Sequence, residues 1–498
     1  MFRRYTFNKR SELFRSSFKN AGWSTVDSIA SPLLMVVSAP LLVRALGVEQ
    51  YGLWILVYSI VGLMGFVSMG LGDATTRYVA QYRATGRVSD VIHVVRITAL
   101  MYVVMAFLVG AIIYMVSALL ARGVFHIPEA LQQTAVQVIR LGGLMLAVKI
   151  VDSVFAATLK GYERFDVSSR IAVTFRITAI STTVLLAVNG YGLVVILTST
   201  LLIYSANLLV SIIVTKRFVP GTYFVASFDV DLFRKIYSYG IWSWLQGIAG
   251  TLFSQADRFL ITIILGTSAL TYYSTSLMVA QQVHAVLAAA ASFVFPLSSK
   301  FHSSGDIHRL REVYSKTMTI VTTLATAAVI MVYFLAPVIL RLWMGADFEK
   351  EGTEVLRLLI LAFGGLSLTI VPYYLLNGSG FIRYNVLFGT LSGLVVICTG
   401  LVLLPRLGII GAGWAQLTNV LVIVVYLVFI EKVIFRTKSW VSSIGYIIPY
   451  AVPVIVAVIL FRVIGSSEAM SKISILTILF LGVFGTAFSY YLSAIKDN

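Results

Sequence analysis

Residues 240–266 read GIWSWLQGIAGTLFSQADRFLITIILG. The stretch is apolar and long enough to cross a bilayer, yet Asp257 and Arg258 sit side by side within it. Ser243, Gly247, Gly250, Ser254 and Asp257 recur at steps of four and three, which draws one stripe along a helix. Trp244, Leu245, Ile248, Leu252 and Phe259 turn to other faces. An ionised carboxylate facing lipid costs at least a few kcal/mol, so the stripe is expected to face a bundle interior or water.

Residues 23–47 carry the same pattern. Adding 219 takes Trp23-Ser24 onto Trp242-Ser243, Ser28 onto Gly247, Ser31 onto Gly250 and Ser38 onto Asp257. The same step takes Leu46-Gly47 onto Leu265-Gly266 and Gly86 onto Gly305. Further on, Leu159-Lys160-Gly161 matches Leu376-Asn377-Gly378 at 217, and Gly192 matches Gly408 at 216. The pattern predicts one six-helix architecture used twice.

The whole chain has the composition this requires. It is 59% hydrophobic and 12% charged, with mean hydropathy +0.92, too apolar for a soluble protein of 498 residues. Apolar runs of about 20 residues, the span of a bilayer-crossing helix, repeat along its length. The fold class expected is an all-α polytopic membrane protein; a transmembrane barrel would instead alternate in ten-residue strands. The net charge of +17 does not indicate nucleic acid, because the basic residues collect in alternate short loops. The single cysteine, Cys398, excludes an internal disulfide, and no cofactor is expected.

Fourteen spans are expected, near 24–43, 51–71, 91–120, 131–159, 171–188, 193–214, 240–265, 271–295, 317–340, 356–376, 386–404, 411–430, 441–464 and 473–493. The third and fourth exceed a membrane's width and should project beyond it. Of 38 Lys and Arg, 25 fall in the N-terminal tail and one set of alternate loops; the opposite loops hold six. The first set includes Arg77, Arg83, Arg87, Lys160 and Arg164, and the second Arg44, Arg122 and Arg341. The positive-inside rule then puts both termini in the cytoplasm. The chain divides into a basic interfacial segment (1–23), an N-lobe (24–214), an inter-lobe loop (215–239), a C-lobe (240–430) and two final spans with a tail (431–498). Both lobes start on the same side, so a pseudo-two-fold along the membrane normal should relate them.

The charges inside the spans are the candidates for chemistry. Arg96, Arg357 and Arg462 fall near span ends, where they can snorkel, and receive no role. Deeper lie Arg140, Lys149, Arg176 and Arg258, with Asp27, Asp152 and Asp257. Each has an ordinary reading beside the functional one. Lys149 and Asp152, three apart, can neutralise each other. Arg258 can reach the outer interface, Arg140 can stand above the membrane, Arg176 can snorkel, and Asp27 can serve a helix start. Asp257 and Arg258 are about 100° apart around a helix and pair poorly. A lumen rich in Arg and Lys suits an anionic substrate, and a buried titrating carboxylate can couple transport to protons or Na⁺.

Other signals carry less. Asp229-Val230-Asp231 sits in a loop too short for a nucleotide-sugar domain, so catalysis is not expected. Gly408, Gly411 and Gly413 open the twelfth span, where small residues permit close packing. His284 reads as a packed polar residue rather than a ligand.

Three motifs carry a family resemblance. They are Ala45-Leu46-Gly47-Val48-Glu49-Gln50-Tyr51-Gly52, Leu159-Lys160-Gly161-Tyr162-Glu163-Arg164-Phe165, and Ser254-Gln255-Ala256-Asp257-Arg258-Phe259 followed by Leu265-Gly266 and Tyr272-Tyr273. Over residues 20 to 430 the chain resembles the polysaccharide transporters, the O-antigen (Wzx-type) flippases of the multidrug/oligosaccharidyl-lipid/polysaccharide superfamily. The resemblance implies translocation of an undecaprenyl-diphosphate-linked oligosaccharide across the bacterial cytoplasmic membrane by two rocking lobes, with ion antiport as the candidate drive. It implies a lipid-linked oligosaccharide and membrane lipid as partners, with a polysaccharide polymerase and a chain-length regulator beside them. On that reading Arg140, Lys149, Arg176 and Arg258 contact the head group, and Asp257, Asp27 and Asp152 are the coupling carboxylates. A multidrug or cation antiporter of the same superfamily would favour an acidic or aromatic lumen. A peptidoglycan-precursor flippase shares the same physics, and a membrane polymerase would need a sizeable extracytoplasmic loop.

Overall fold

The computed structural model describes residues 34–67, 70–219, 244, 247–248, 250–251, 254–435 and 441–464, and every element among them is helical. The first helical stretch, α1, is Leu34–Val67. It is followed by α2 (Leu71–Ala84), α3 (Val88–Leu119) with a π-helical end over Leu120–Val124, α4 (Glu129–Gly161), α5 (Phe165–Val188) and α6 (Leu193–Phe218). Residues 254–265 form α7. Then come α8 (Thr267–Ala291), α9 (Val294–Ser303), α10 (Ile307–Trp343), α11 (Ala346–Ser367), α12 (Ile370–Gly378), α13 (Ile382–Leu407), α14 (Ile409–Val433) and α15 (Val441–Ile464). Eight of these stretches are long and apolar enough to cross a membrane, or nine when α8 and α9 count as one span bent by 42°. This is the all-α polytopic class read from composition.

Two compact units result: Met1–Thr251 with Thr262–Thr271, and Leu252–Ile261 with Tyr272–Asn498. Each unit is wired internally in the same way. In the first, α3 packs on α4, α4 on α6, α5 on α6, and α2 on both α3 and α4. In the second, α10 packs on α11, α11 on α14, α13 on α14, and α9 on both α10 and α12. The correspondence reaches single residues. A methyl on Gly161 would lie 2.7 Å from Val79 and 2.9 Å from the Thr76 carbonyl. A methyl on Gly378 would overlap the Phe295 carbonyl and lie 2.9 Å from Ser298. Phe295 and Ser298 are Thr76 and Val79 moved by 219. Both copies therefore need glycine where the fourth helix crosses the second.

The turns repeat as well. Gly47 and Gly266 hold φ of 80° and 88°, and Gly86 and Gly305 hold 70° and 71°, the left-handed region that glycine enters without steric cost. A reciprocal contact lies within the first unit. Thr271 Oγ1 donates to the Val48 carbonyl at 2.7 Å, and a side chain on Gly52 would overlap the Thr267 carbonyl. Positions 48 and 52 become 267 and 271 on adding 219, so each touches the other's counterpart, as in a two-fold contact.

The outward face of α3 is a lipid stripe: Val103, Val104, Phe107, Leu108, Ile112, Met115 and Leu119 are all exposed. Its inward face tightens on α4, where Gly143 admits Ile113. The third and fourth spans do run long, at 32 and 33 residues. That is about 50 Å each at 1.5 Å per residue, against about 30 Å of hydrocarbon. In the second unit, α15 docks on α10 and α14, and Tyr450 Oη donates to the Leu361 carbonyl at 2.8 Å.

Several boundaries differ from the sequence reading. Arg77 and Arg83, read as loop residues, lie on α2, an amphipathic helix that buries Leu71, Ala74, Thr75 and Val79. The tenth span is broken between Ser367 and Ile370. At the fifth-to-sixth span turn, Gly192 caps α6 as Gly408 caps α14, so the 216 match pairs the two helix starts. The positive φ falls at Gly190 (80°) in one copy and at Gly408 (60°) in the other. Asp27, the repeated stripe before Leu34 and the fourteenth span lie outside the described residues.

Candidate functional site

Asp257 is on α7 and only 7% exposed. A carboxylate removed from water must be surrounded by donors, and here there are three. Tyr273 Oη, from α8, donates to Oδ2 at 2.6 Å. Gln416 Nε2, from α14, donates to the same oxygen at 3.1 Å and to Tyr273 Oη at 3.3 Å. The Arg258 backbone amide donates to Oδ1 at 2.8 Å. The Arg258 side chain donates to Gln255 Oε1 at 3.3 Å. One turn earlier Ser254 is exposed, so the small-residue stripe leads from an open surface to a buried acid. Close approach of α14 to α13 and α11 supports the cluster: a side chain on Gly411 would lie 2.6 Å from the Leu403 carbonyl carbon on α13, and one on Gly413 2.7 Å from Leu358 on α11.

The first unit holds a different polar cluster. On α4, Lys149 Nζ lies 4.0 Å from Asp152 Oδ2. Asn207 Nδ2, from α6, donates to that oxygen at 2.7 Å. The Lys149 ammonium also sits 4.4 Å from the Tyr204 ring centroid, a cation–π contact that replaces part of its lost hydration. Arg176, on α5, acts electrostatically on both Lys149 and Tyr204. Asp152 Oδ1 and Asn207 Oδ1 are buried and have no partner among the described residues. Two orphan acceptors beside a lysine form a site with capacity left for a proton or cation.

Arg140 belongs to neither cluster. It is nine residues from Lys149 on α4, about 13 Å along the axis. Its Nε donates to Ser117 Oγ at 3.0 Å, and its guanidinium lies 4.3 Å from the Tyr114 ring centroid. Arg357, given no role from sequence, holds the matching position in the second unit. It donates to the Tyr333 carbonyl at 3.3 Å and lies 5.3 Å from that ring. Tyr114 becomes Tyr333 on adding 219, and Arg140 becomes Arg357 on adding 217. Val138-Ile139-Arg140-Leu141 against Val355-Leu356-Arg357-Leu358 was a legible signal that the sequence reading missed. Tyr273, Gln416 and Asn207 were missed for another reason: nothing local marks a tyrosine or amide as partner to an acid on another helix. His284 is packed as expected, its Nδ1 3.2 Å from Ser367 Oγ.

The description "polysaccharide biosynthesis protein" attaches to the family matching residues 41–351, more than half of the chain. The chain belongs to that family. A curated relative, a putative O-antigen transporter of Shigella flexneri, is 21% identical over 372 residues, covering 73% of this chain and 85% of that one. The membrane protein EpsK of Bacillus subtilis is 22% identical over 352 residues, covering 70% and 68%. Among solved structures, the lipid II flippase MurJ in an inward closed conformation has a TM-score of 0.71 at 13% identity, covering 95% of this chain and 99% of that one. An inward-facing multidrug transporter of the MATE family has a TM-score of 0.67 at 14% identity, covering 83% and 99%. The polysaccharide-biosynthesis chain thus has the fold of these multi-pass transporters.

Proposed function

We propose that this protein moves a polyprenyl-diphosphate-linked oligosaccharide from the inner to the outer leaflet of a bacterial cytoplasmic membrane, with both termini in the cytoplasm. The observation that carries the reading is positive charge set within apolar helices of a polysaccharide-biosynthesis family member: half-buried Lys149 and Arg176 stand beside Tyr204. A diphosphate-sugar head group cannot enter hydrocarbon unaided, and a cationic, aromatic surface offers it polar contacts along the way. Lys149 and Arg176 are assigned to the head group. Asp257 and Asp152 are assigned to ion coupling, because each carboxylate is largely withdrawn from water and hydrogen-bonded to a side chain on another helix. Arg258, bonded to Gln255, is the weaker head-group candidate. A polymerase and a chain-length regulator are the partners that would consume the product.

The test is export in a host lacking its own transporter for a known repeat unit. Lys149→Ala and Arg176→Ala should abolish surface polysaccharide while the protein still inserts at parental abundance. Normal surface polysaccharide from both variants would overturn the reading.

A further inference from the structure

We propose that the end of the first unit bearing Arg122 and Arg140 binds the phosphate oxygens of a lipid head group, and that the second unit has cancelled the matching site with two glutamates. This rests on the transport reading for its orientation, which puts that end outside, but not for its chemistry.

The two copies keep the same arginines and differ in what faces them. Arg122 and Arg140 become Arg341 and Arg357 at offsets of 219 and 217. In the second unit both are neutralised. Arg341 Nε lies 3.7 Å from Glu349, and Arg357 Nη1 lies 2.6 Å from Glu354. Moved back by 217, Glu349 and Glu354 become Gln132 and Gln137. The register is firm, because α4 begins at Glu129 and α11 at Ala346, also 217 apart. Glutamine keeps the size and reach of glutamate but drops the charge. Gln132 spends its amide on the Ile127 carbonyl at 3.4 Å, and Gln137 is exposed. The remaining charges leave that contrast to the two glutamates: over residues 129–140 Glu129 adds −1, and over residues 346–357 Asp347 and Glu351 against Lys350 also add −1.

Arg140 is also posed for an oxyanion. Ser117 holds its Nε and the Tyr114 ring backs its plane. Its two terminal nitrogens have no partner among the described residues, and they form the edge that meets phosphate bidentately. Arg357 offers no such edge, since Glu354 occupies it. Arg140 lies eleven residues into α4, about 16 Å from its start, and Lys160 marks the opposite end of this 33-residue helix. A helix that overruns the membrane at one end puts Arg140 near the interface, where a tyrosine–arginine pair meets head groups. Arg122 lies five residues past Ser117 toward the free end, on the π-helical turn that packs against α4.

The test uses the full-length protein in detergent micelles and native mass spectrometry, with undecaprenyl diphosphate as one probe and phosphatidylglycerol as the other. Arg140→Gln, and Gln132→Glu combined with Gln137→Glu, should each weaken retention of undecaprenyl diphosphate by about tenfold, the loss of one charge-assisted contact. Arg357→Gln should change nothing, and Glu354→Gln should add retention. The paired glutamates already exist in the second unit, so that variant reproduces a local arrangement the fold accepts. Loss of the diphosphate alone assigns the site to the transported lipid. Equal loss of both probes assigns it to bilayer phospholipid. Parental retention by the double glutamate variant, or equal loss in Arg357→Gln, overturns the proposal. The readout is binding, so failed export with intact retention would count against the transport reading and leave this site standing.

Discussion

Removing the Tyr273 hydroxyl tests whether Asp257 is held as an anion. Tyr273→Phe deletes one of two side-chain donors to Oδ2, at 2.6 Å, and leaves Gln416 at 3.1 Å and a backbone amide on Oδ1. A hydrogen bond to a charged group contributes about 1.5–3 kcal/mol, against about 1 for a neutral pair. Tyr273→Phe should therefore destabilise by about 2 kcal/mol, and Asp257→Asn by a similar amount because its amide opposes two donors. Once the carboxylate is gone, the hydroxyl has much less to offer. Tyr273→Phe made on top of Asp257→Asn should cost under about 1 kcal/mol, which leaves a coupling of 1–2 kcal/mol in the cycle. Reversible unfolding in mixed micelles, with helicity as the signal, measures all four corners. Additivity within about 0.5 kcal/mol would mean that the bond carries no charge-assisted energy, and the coupling role of Asp257 would lose its basis.

The backbone at Glu163 offers a test of stability through the repeat. Its φ is +60°, where the counterpart Gly380 has +81°. Glu163→Gly should stabilise by up to about 1 kcal/mol by thermal unfolding, since the Arg83 pair it gives up, at 3.8 Å, is exposed and weak. Gly380→Glu should do the reverse. Gly161→Ala and Gly378→Ala should each cost about 1–3 kcal/mol through overpacking, and each should lower the folded yield in detergent-solubilised membranes. In the first unit, Asp152→Ala strips the half-buried Lys149 of its counter-charge and should destabilise by about 3–5 kcal/mol. Adding Lys149→Met should recover much of that in the same unfolding assay, and no recovery would show that the pair is not coupled.

Much of the architecture could be read because hydrophobic period and glycine spacing are local signals. The offset of 219 at Gly47 and Gly86 reappears as matching left-handed turns at Gly266 and Gly305. What failed were places where tertiary packing sets the conformation. Arg77 and Arg83 lie on a helix because its apolar edge, Leu71 to Val79, finds cover against α3 and α4. The candidate site was half legible. A charge inside an apolar span announces itself, so Asp257, Lys149 and Asp152 were found. Their partners are ordinary tyrosine, glutamine and asparagine side chains on helices far away in sequence, and only the fold brings them together. Reading charges one at a time also grouped Arg140 with Lys149, although nine residues of helix separate them.

A duplicated chain carries its own control, and that control sorts structural residues from functional ones. Where both copies keep a feature, folding is reason enough: Gly161 with Gly378, and the left-handed turns at Gly47 with Gly266. Where they part, folding cannot be the reason, because the other copy folds without it. Asp257 stands where the first copy has Ser38, and Lys149 and Asp152 stand where the second has Leu366 and Thr369. Each departure places a buried charge in helices that pack without one, which costs stability and needs another cause for its retention. One copy thus keeps an acid ringed by donors, and the other a lysine–aspartate pair with acceptors to spare. On the proposed reading the lysine–aspartate pair serves head group and ion together in one half, and Asp257 adds a second coupling acid in the other.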